Sequence, residues 1–211
     1  MTAFEELTNM IIDGQHMAAS EWTQIAVDEG CDPIEVMDKG MIPGMDEIGR
    51  RWKDGEIHMP EVLIAARAMK GCMSILQPLI TESNVIARGT VVIGTVKGDL
   101  HDIGKNIVAM MLEGAGYRVY DLGNDVPAEA FVNAAEEYDA DIVGMSALLT
   151  TTVPMMESTI QALKDAEIRS EVKVMIGGAP VSDELAKQIG ADGYAPDGAV
   201  AVDLTSNLIS S

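Results

Sequence analysis

From Thr90 onward, strand-like and helix-like patterns alternate without a break, and this alternation constrains the fold more than any other feature of the chain. Short β-branched or apolar runs mark strands at 90–96, 117–121, 141–146 and 172–177, with a weaker fifth at 193–195. Helix-period patterns fill the gaps at 103–113, 128–137, 153–166 and 183–189, and a last one covers 199–208. Strict alternation predicts a parallel, doubly wound α/β sheet with right-handed crossovers. Five strands suit the flavodoxin-like order 2-1-3-4-5.

Residues 1–81 have a different texture, helical throughout, and predict a small bundle. Thr2 can cap a first helix whose Phe4, Leu7, Ile11 and Ile12 share a face. A second helix runs over 15–29 and ends at Gly30. Asp32-Pro33-Ile34-Glu35 then supplies an N-cap, a proline at the first helical position and a glutamate at N3. Gly40 is expected to interrupt that third helix, and Pro43 to begin the next, which reaches Asp54-Gly55. A long helix follows from Pro60 to Leu79. The polar, non-periodic residues 82–89 read as a linker, so the expected domains are 1–81 and 90–211.

Composition narrows the function. The chain has 211 residues, 47% of them hydrophobic, which supports a packed core. A net charge of −20 argues against nucleic acid, whose binding depends on neutralising phosphates with Lys and Arg. Cys31 and Cys72 form neither a metal-like cluster nor a disulfide framework. The first residues lack the basic start and apolar run of a signal peptide, and no segment has the apolar length to span a bilayer. A cytoplasmic protein that binds neither membrane nor nucleic acid is expected.

In a parallel sheet, ligands bind at the loops after the strands' carboxyl ends. The loop after the first strand reads Gly94-Thr95-Val96-Lys97-Gly98-Asp99-Leu100-His101-Asp102-Ile103-Gly104. An imidazole there can coordinate a metal through one nitrogen while an acceptor fixes the other N–H, and Asp99 is the nearby candidate. Taken alone, one His and two Asp in a loop are more often solvated or turn-forming than ligating. After the third strand come Ser146, Leu148, Thr150 and Thr152; Thr152, before Val153-Pro154, reads as a cap for the next helix, but four hydroxyls at 146–152 exceed what one cap needs. Gly177-Gly178-Ala179 follows the fourth strand, where glycines mark a turn or clear space for a ligand against backbone. Gly193-Tyr194 and Gly198 belong to the fifth strand and its loop.

Asp99-x-His101-x-x-Gly104, with Ser146-x-Leu148 and Gly177-Gly178, closely resembles the cobalamin-binding motif of methionine synthase and of the corrinoid methyl-carrier proteins of methylotrophic methyltransferase systems. Trp52-Lys53-Asp54-Gly55-Glu56-Ile57-His58-Met59-Pro60-Glu61 resembles the helical cap that covers the corrin in methionine synthase, so the resemblance spans nearly the whole chain. It implies a helical bundle cap followed by a Rossmann-like, flavodoxin-like five-stranded sheet, with cobalamin (methylcobalamin or another corrinoid) as cofactor and its cobalt as the metal. His101 would be the lower axial ligand of cobalt. Asp99 would hydrogen-bond its distal nitrogen, and Thr152, where methionine synthase has Ser, would extend that relay. Gly98, Leu100, Asp102, Ile103 and Gly104 would line the site around the ligand. Ser146, Leu148 and Thr150 would meet the dimethylbenzimidazole tail, and Gly177, Gly178, Ala179, Tyr194 and Gly198 would border it. Met59 would face the corrin from the cap, where His58-Met59 departs from the aromatic and aliphatic pair of methionine synthase.

The function so implied is that of a carrier subunit, not catalytic alone. It would move a methyl group on cobalt between a substrate-specific methyltransferase and a corrinoid:acceptor methyltransferase, with a reductive activation protein as a further partner. The acceptor would be a thiol such as coenzyme M, or tetrahydrofolate. Methylamines, methanol, glycine betaine and methoxylated aromatics all stand open as donors. A small subunit of a cobalamin-dependent mutase is the rival enzyme reading, but it does not predict the helical half. A cobalamin-sensing regulator would want a basic helix-turn-helix or an output domain, and the acidic N-terminal half offers neither.

Overall fold

The structure, a computed structural model, describes residues 3–81 and 88–210. The chain divides into two compact units, Met1–Ala87 with Glu113–Gly116, and Arg88–Leu112 with Tyr117–Ser211. The expected cap at Thr2 and most of the expected linker (82–87) lie outside the described residues. Gly89 already belongs to the sheet unit, where its carbonyl accepts from Arg118 N at 2.9 Å.

The helical unit holds α1 (Ala3–Ile12), α2 (His16–Asp28), α3 (Pro33–Val36), α4 (Ile42–Lys53) and α5 (Met59–Thr81). Asp32 caps α3 through a hydrogen bond from Ile34 N, and Pro33 stands at its first turn. Gly40 does not interrupt the chain's helical course, contrary to expectation. A π-helical turn, Met37–Met41, carries α3 straight into α4. The reason lies in α1. A Cβ on Gly40 would stand 2.7 Å from Leu7 Cδ2, and one on Gly44 would stand 2.9 Å from Ile11 Cβ and 3.1 Å from the Thr8 carbonyl. The two glycines therefore let α1 cross at close range, while Thr8 Oγ1 donates to the Gly40 carbonyl at 2.9 Å. The packing needs glycine at 40 for contact with Leu7, so glycine here is no helix stop. At the end of α4, Arg50 pairs with Glu47, Asp54 and Glu56, which fastens the turn leading to α5.

The sheet unit runs β1 (Thr90–Thr95), α6 (Ile103–Gly114), β2 (Arg118–Asp121), α7 (Ala128–Glu137), β3 (Ile142–Ser146), α8 (Pro154–Asp165), β4 (Lys173–Gly177), α9 (Asp183–Ile189), β5 (Gly193–Tyr194) and α10 (Gly198–Ile209). All pairings are parallel and the strand order is β2-β1-β3-β4-β5, as the alternation predicts. Val92, Val143 and Val174 stand in register and face a core closed by Phe131, Met156, Ile160 and Leu163 of α7 and α8. Alternate residues point to the opposite face, where Met175 Sδ accepts from Thr205 Oγ1 of α10. Both faces being covered explains why the strands read as continuous apolar runs rather than alternating ones. No helix among the described residues is long and apolar enough to cross a membrane.

Substitution at Gly44 tests the close crossing. Gly44→Ala puts a methyl group against α1 backbone, and overpacking of this kind costs about 1–3 kcal/mol. Its urea midpoint should fall accordingly, whereas Gly49→Ala, at a site with no atom within 4 Å of the added Cβ, should hold or rise.

Candidate cofactor site

The strand order reverses at β1, so a crevice opens between the carboxyl ends of β1 and β3. The loops after these strands meet there through one side chain. Asp99 is fully buried. Its Oδ2 accepts from Leu148 N at 2.8 Å, Leu149 N at 3.1 Å and Thr152 Oγ1 at 2.7 Å. Its Oδ1 accepts from His101 N at 3.1 Å and pairs with His101 Nδ1 at 2.8 Å. Burial alone would raise the Asp99 pKa, but the donors from Thr152, Leu148 and His101 outweigh it and hold the carboxyl well below the usual carboxylate range.

A carboxylate is an acceptor only, so the proton between Asp99 and His101 sits on Nδ1. The neutral ring then keeps its lone pair on Nε2. The His101 side chain is 52% exposed, against 0% for that of Asp99. Leu100, Ile103, Leu148 and Leu149 are exposed around it, and among the described residues they are the sheet unit's exposed large hydrophobics. Gly104 meets no atom within 4 Å where a Cβ would stand. The arrangement is a directed nitrogen ligand on an apolar, open shelf.

Thr152 is no helix cap, contrary to one reading of the sequence. The residue before α8 is Val153, and the Thr152 hydroxyl lies within reach of both Asp99 Oδ2 and the Leu149 carbonyl, the latter at 2.9 Å. Gly98 has φ +84° and stands beside Thr152, with a Cβ position 3.6 Å from its Cγ2. Gly178, at φ +129°, lies against the β3 loop; a Cβ there would fall 1.8 Å from the Ala147 carbonyl oxygen. Gly177 makes a similar approach to the Ala195 carbonyl, at 2.9 Å. The glycine pair thus lets the β4 loop press against its neighbours on both sides.

Ser146 ends β3 beside Thr95 and Gly177, while Thr150 is exposed in the following turn and Ala179 is exposed beyond β4. Asp102 is half-buried, and its carbonyl accepts from Asn106 N. Tyr194 packs against the core, and Gly198 is buried at the start of α10 behind its cap Asp197. Met59 opens α5 in the helical unit. There His58 stands as the exposed residue before the helix, its N–H donating to Glu61 Oε2.

Three features escape sequence reading. Thr95 is buried and its hydroxyl donates to the His101 carbonyl at 3.2 Å. Lys105, buried in the first turn of α6, pairs with Asp121 at the end of β2. Asp125 accepts from Gly98 N at 2.8 Å. The turn residues Asn124-Asp125 before Pro127 could have flagged a turn, but not its partner.

The donor set fits a corrinoid. Among the described residues, no three His, Cys, Asp or Glu side chains gather to hold a bare ion. A cobalt held within a corrinoid would need only one ligand from the protein, and His101 would offer one with its other nitrogen anchored on Asp99. The stability of this arrangement carries a pH signature. However an amide at position 99 is turned, its NH2 faces two or three donors, so Asp99→Asn should cost about 2–3 kcal/mol at neutral pH. Because the native carboxyl is held below its ordinary value, this advantage is full above the unfolded-chain value of about 3.9. It is lost as pH falls further, so urea titrations of the two proteins should converge at acid pH.

Comparison with known proteins agrees with the geometry. A family model described as a B12 binding domain matches residues 89–203, and a second B12 binding domain model matches residues 3–77. A corrinoid protein of Desulfitobacterium hafniense (strain Y51) is 43% identical over 99% of this chain and 98% of its own length. Trimethylamine corrinoid protein 1 of Methanosarcina acetivorans is 44% identical over 94% of this chain and 91% of its own. A chain of the methanol:cobalamin methyltransferase complex of Methanosarcina barkeri superposes with a TM-score of 0.88 at 30% identity, covering 99% of this chain and 80% of that one. The chain therefore belongs to the corrinoid proteins built on the B12 binding domain.

Proposed function

We propose that this chain carries a methyl group on the cobalt of a bound corrinoid, from a substrate-specific methyltransferase to a second methyltransferase. The observation that supports this reading most directly is the buried Asp99 carboxylate, hydrogen-bonded on both oxygens, behind a half-exposed His101. The corrinoid, when bound, supplies the cobalt that takes up and gives up the methyl group. The protein's own residues do the rest. His101 Nε2 would ligate the cobalt, Asp99 would hold the ring in the tautomer that leaves Nε2 free, and Thr152 would fix the carboxylate in turn. Leu100, Ile103, Leu148 and Leu149 give the corrin an apolar seat. Gly177 and Gly178 border the cleft for the dimethylbenzimidazole tail.

Several of the curated relatives are named for dimethylamine or trimethylamine, at 40–44% identity. A methylated amine is accordingly our proposed donor class, with a thiol such as coenzyme M or tetrahydrofolate as acceptor and a reductive activation protein as third partner. Cys31 and Cys72 are both free, in keeping with a cytoplasmic site of action. Residues 1–81 serve as the cap module for the bound corrinoid, with Met59 among the residues it offers.

Loading with unlabelled cobalamin tests the ligand assignment. In the Co(II) state, the nitrogen hyperfine pattern should change when the protein's histidines carry 15N, and His101→Ala should lose that pattern while keeping its melting temperature. An unaltered pattern in His101→Ala would falsify the assignment. The cap is tested by a chain lacking residues 1–87. It should still bind cobalamin but lose the reduced cofactor to air at least severalfold faster than the full chain; equal rates would leave the bundle as a docking module instead.

A further inference from the structure

The five hydrogen bonds to the Asp99 carboxylate hold its oxygens, but they do not hold the backbone that carries it. Asp99 N donates to the Val96 carbonyl at 3.1 Å, and a third loop holds the peptides on both sides of that turn. Residues 121–126, between β2 and α7, run beside β1, with Thr95 N donating to the Gly123 carbonyl and Val126 N to the Thr95 carbonyl. At the tip stands Asp125, whose φ of +54° is uncommon for a residue with a side chain and persists only where its surroundings dictate it. Asp125 Oδ1 accepts from Gly98 N at 2.8 Å, and Asp125 N donates to the Asp99 carbonyl at 3.0 Å. Lys97 Nζ approaches the same carboxylate at 3.2 Å. One residue thus grips the peptide that enters Gly98 and the peptide that leaves Asp99.

We infer that Asp125 is a positioning residue for His101: by fixing the Gly98 and Asp99 peptides it keeps the Asp99 carboxylate aimed at the ring, and so sets which nitrogen is left to ligate. The Gly98 N–H first, and Lys97 second, hold the Asp125 carboxyl below its ordinary range, so the acceptor stays charged. Gly98, at φ +84°, adopts a conformation that glycine takes freely, so of the two left-handed residues it is Asp125 whose backbone needs outside support. The acceptor oxygen on Gly98 N, more than the ion pair with Lys97, is the operative part, because both Asp125 and Lys97 side chains are about half exposed and such pairs contribute little. The consequence for cobalt rests on the ligand role proposed above; the consequence for the imidazole does not.

Three variants of the full chain separate these elements. Asp125→Gly keeps the left-handed backbone and removes the acceptor. Asp125→Asn keeps the acceptor oxygen and tolerates the same backbone conformation. Lys97→Met removes only the ion pair. Ring 15N shifts of the cofactor-free protein, read at one alkaline pH, report the His101 tautomer, with His16 and His58 as internal references. The Nδ1–H form should predominate at His101 in wild type, Asp125→Asn and Lys97→Met. In Asp125→Gly the Nδ1–H to Nε2–H ratio should fall roughly fivefold, the factor expected for losing one ordinary hydrogen bond's net contribution. An unchanged ratio in Asp125→Gly overturns the inference, and so does a fall in Asp125→Asn or in Lys97→Met. The same proteins loaded with cobalamin and reduced to Co(II) add a second reading. A weakened histidine nitrogen pattern in Asp125→Gly extends the effect to ligation. A wild type with no such pattern refutes the ligand role and leaves the tautomer result standing.

Discussion

A single buried negative charge organises the sheet unit's functional end. Asp99 has no exposure, yet it is held ionised because every hydrogen bond it accepts comes from a donor that two neighbouring loops point at it. Burying a carboxylate without such partners would cost several kcal/mol. With them, the charge locks the loop after β1 to the loop after β3 and at the same time decides the proton position on His101. Structure and chemistry depend on the same group.

The parallel sheet makes this possible. Reversal of strand order at β1 leaves the carboxyl ends of β1 and β3 facing one crevice, with no intervening crossover to fill it. Leu148, Leu149 and Thr152 reach Asp99 from one side, and the loop carrying Gly123 and Asp125 supports it from the other. His101 stands between them on the solvent side, ringed by leucine and isoleucine side chains that a purely structural loop would have hidden. An apolar shelf with one polar ligand at its centre suits a large flat cofactor better than a small polar substrate.

The helical unit shows the same economy in a different form. Gly40, read along the sequence as a break, and Gly44 are where α1 comes within van der Waals range of the helix that runs from α3 through the π-turn into α4. Sequence patterns report the period of apolar residues, and a single glycine is ambiguous within that period: it can end a helix or admit a neighbour. Only the position of Leu7 and Ile11 settles which.

What the sequence determined by itself was whatever depends on local pattern: five strands and their order, the helices between them, and the presence of Asp99, His101 and the hydroxyl-rich loop on the ligand-binding rim of the sheet. These follow from periodicity and from the rule that parallel strands present their loops on one side. What only the tertiary structure decided was pairing across loops: Thr152 toward Asp99 instead of capping α8, the backbone N–H groups of Leu148 and Leu149 on the same carboxylate, Thr95 on the His101 carbonyl and Asp125 on Gly98. The partners of Asp99 in the β3 loop lie about fifty positions downstream. A hydrogen bond over that distance leaves no period in the chain, because its donors become neighbours only when the sheet has brought two strand ends together.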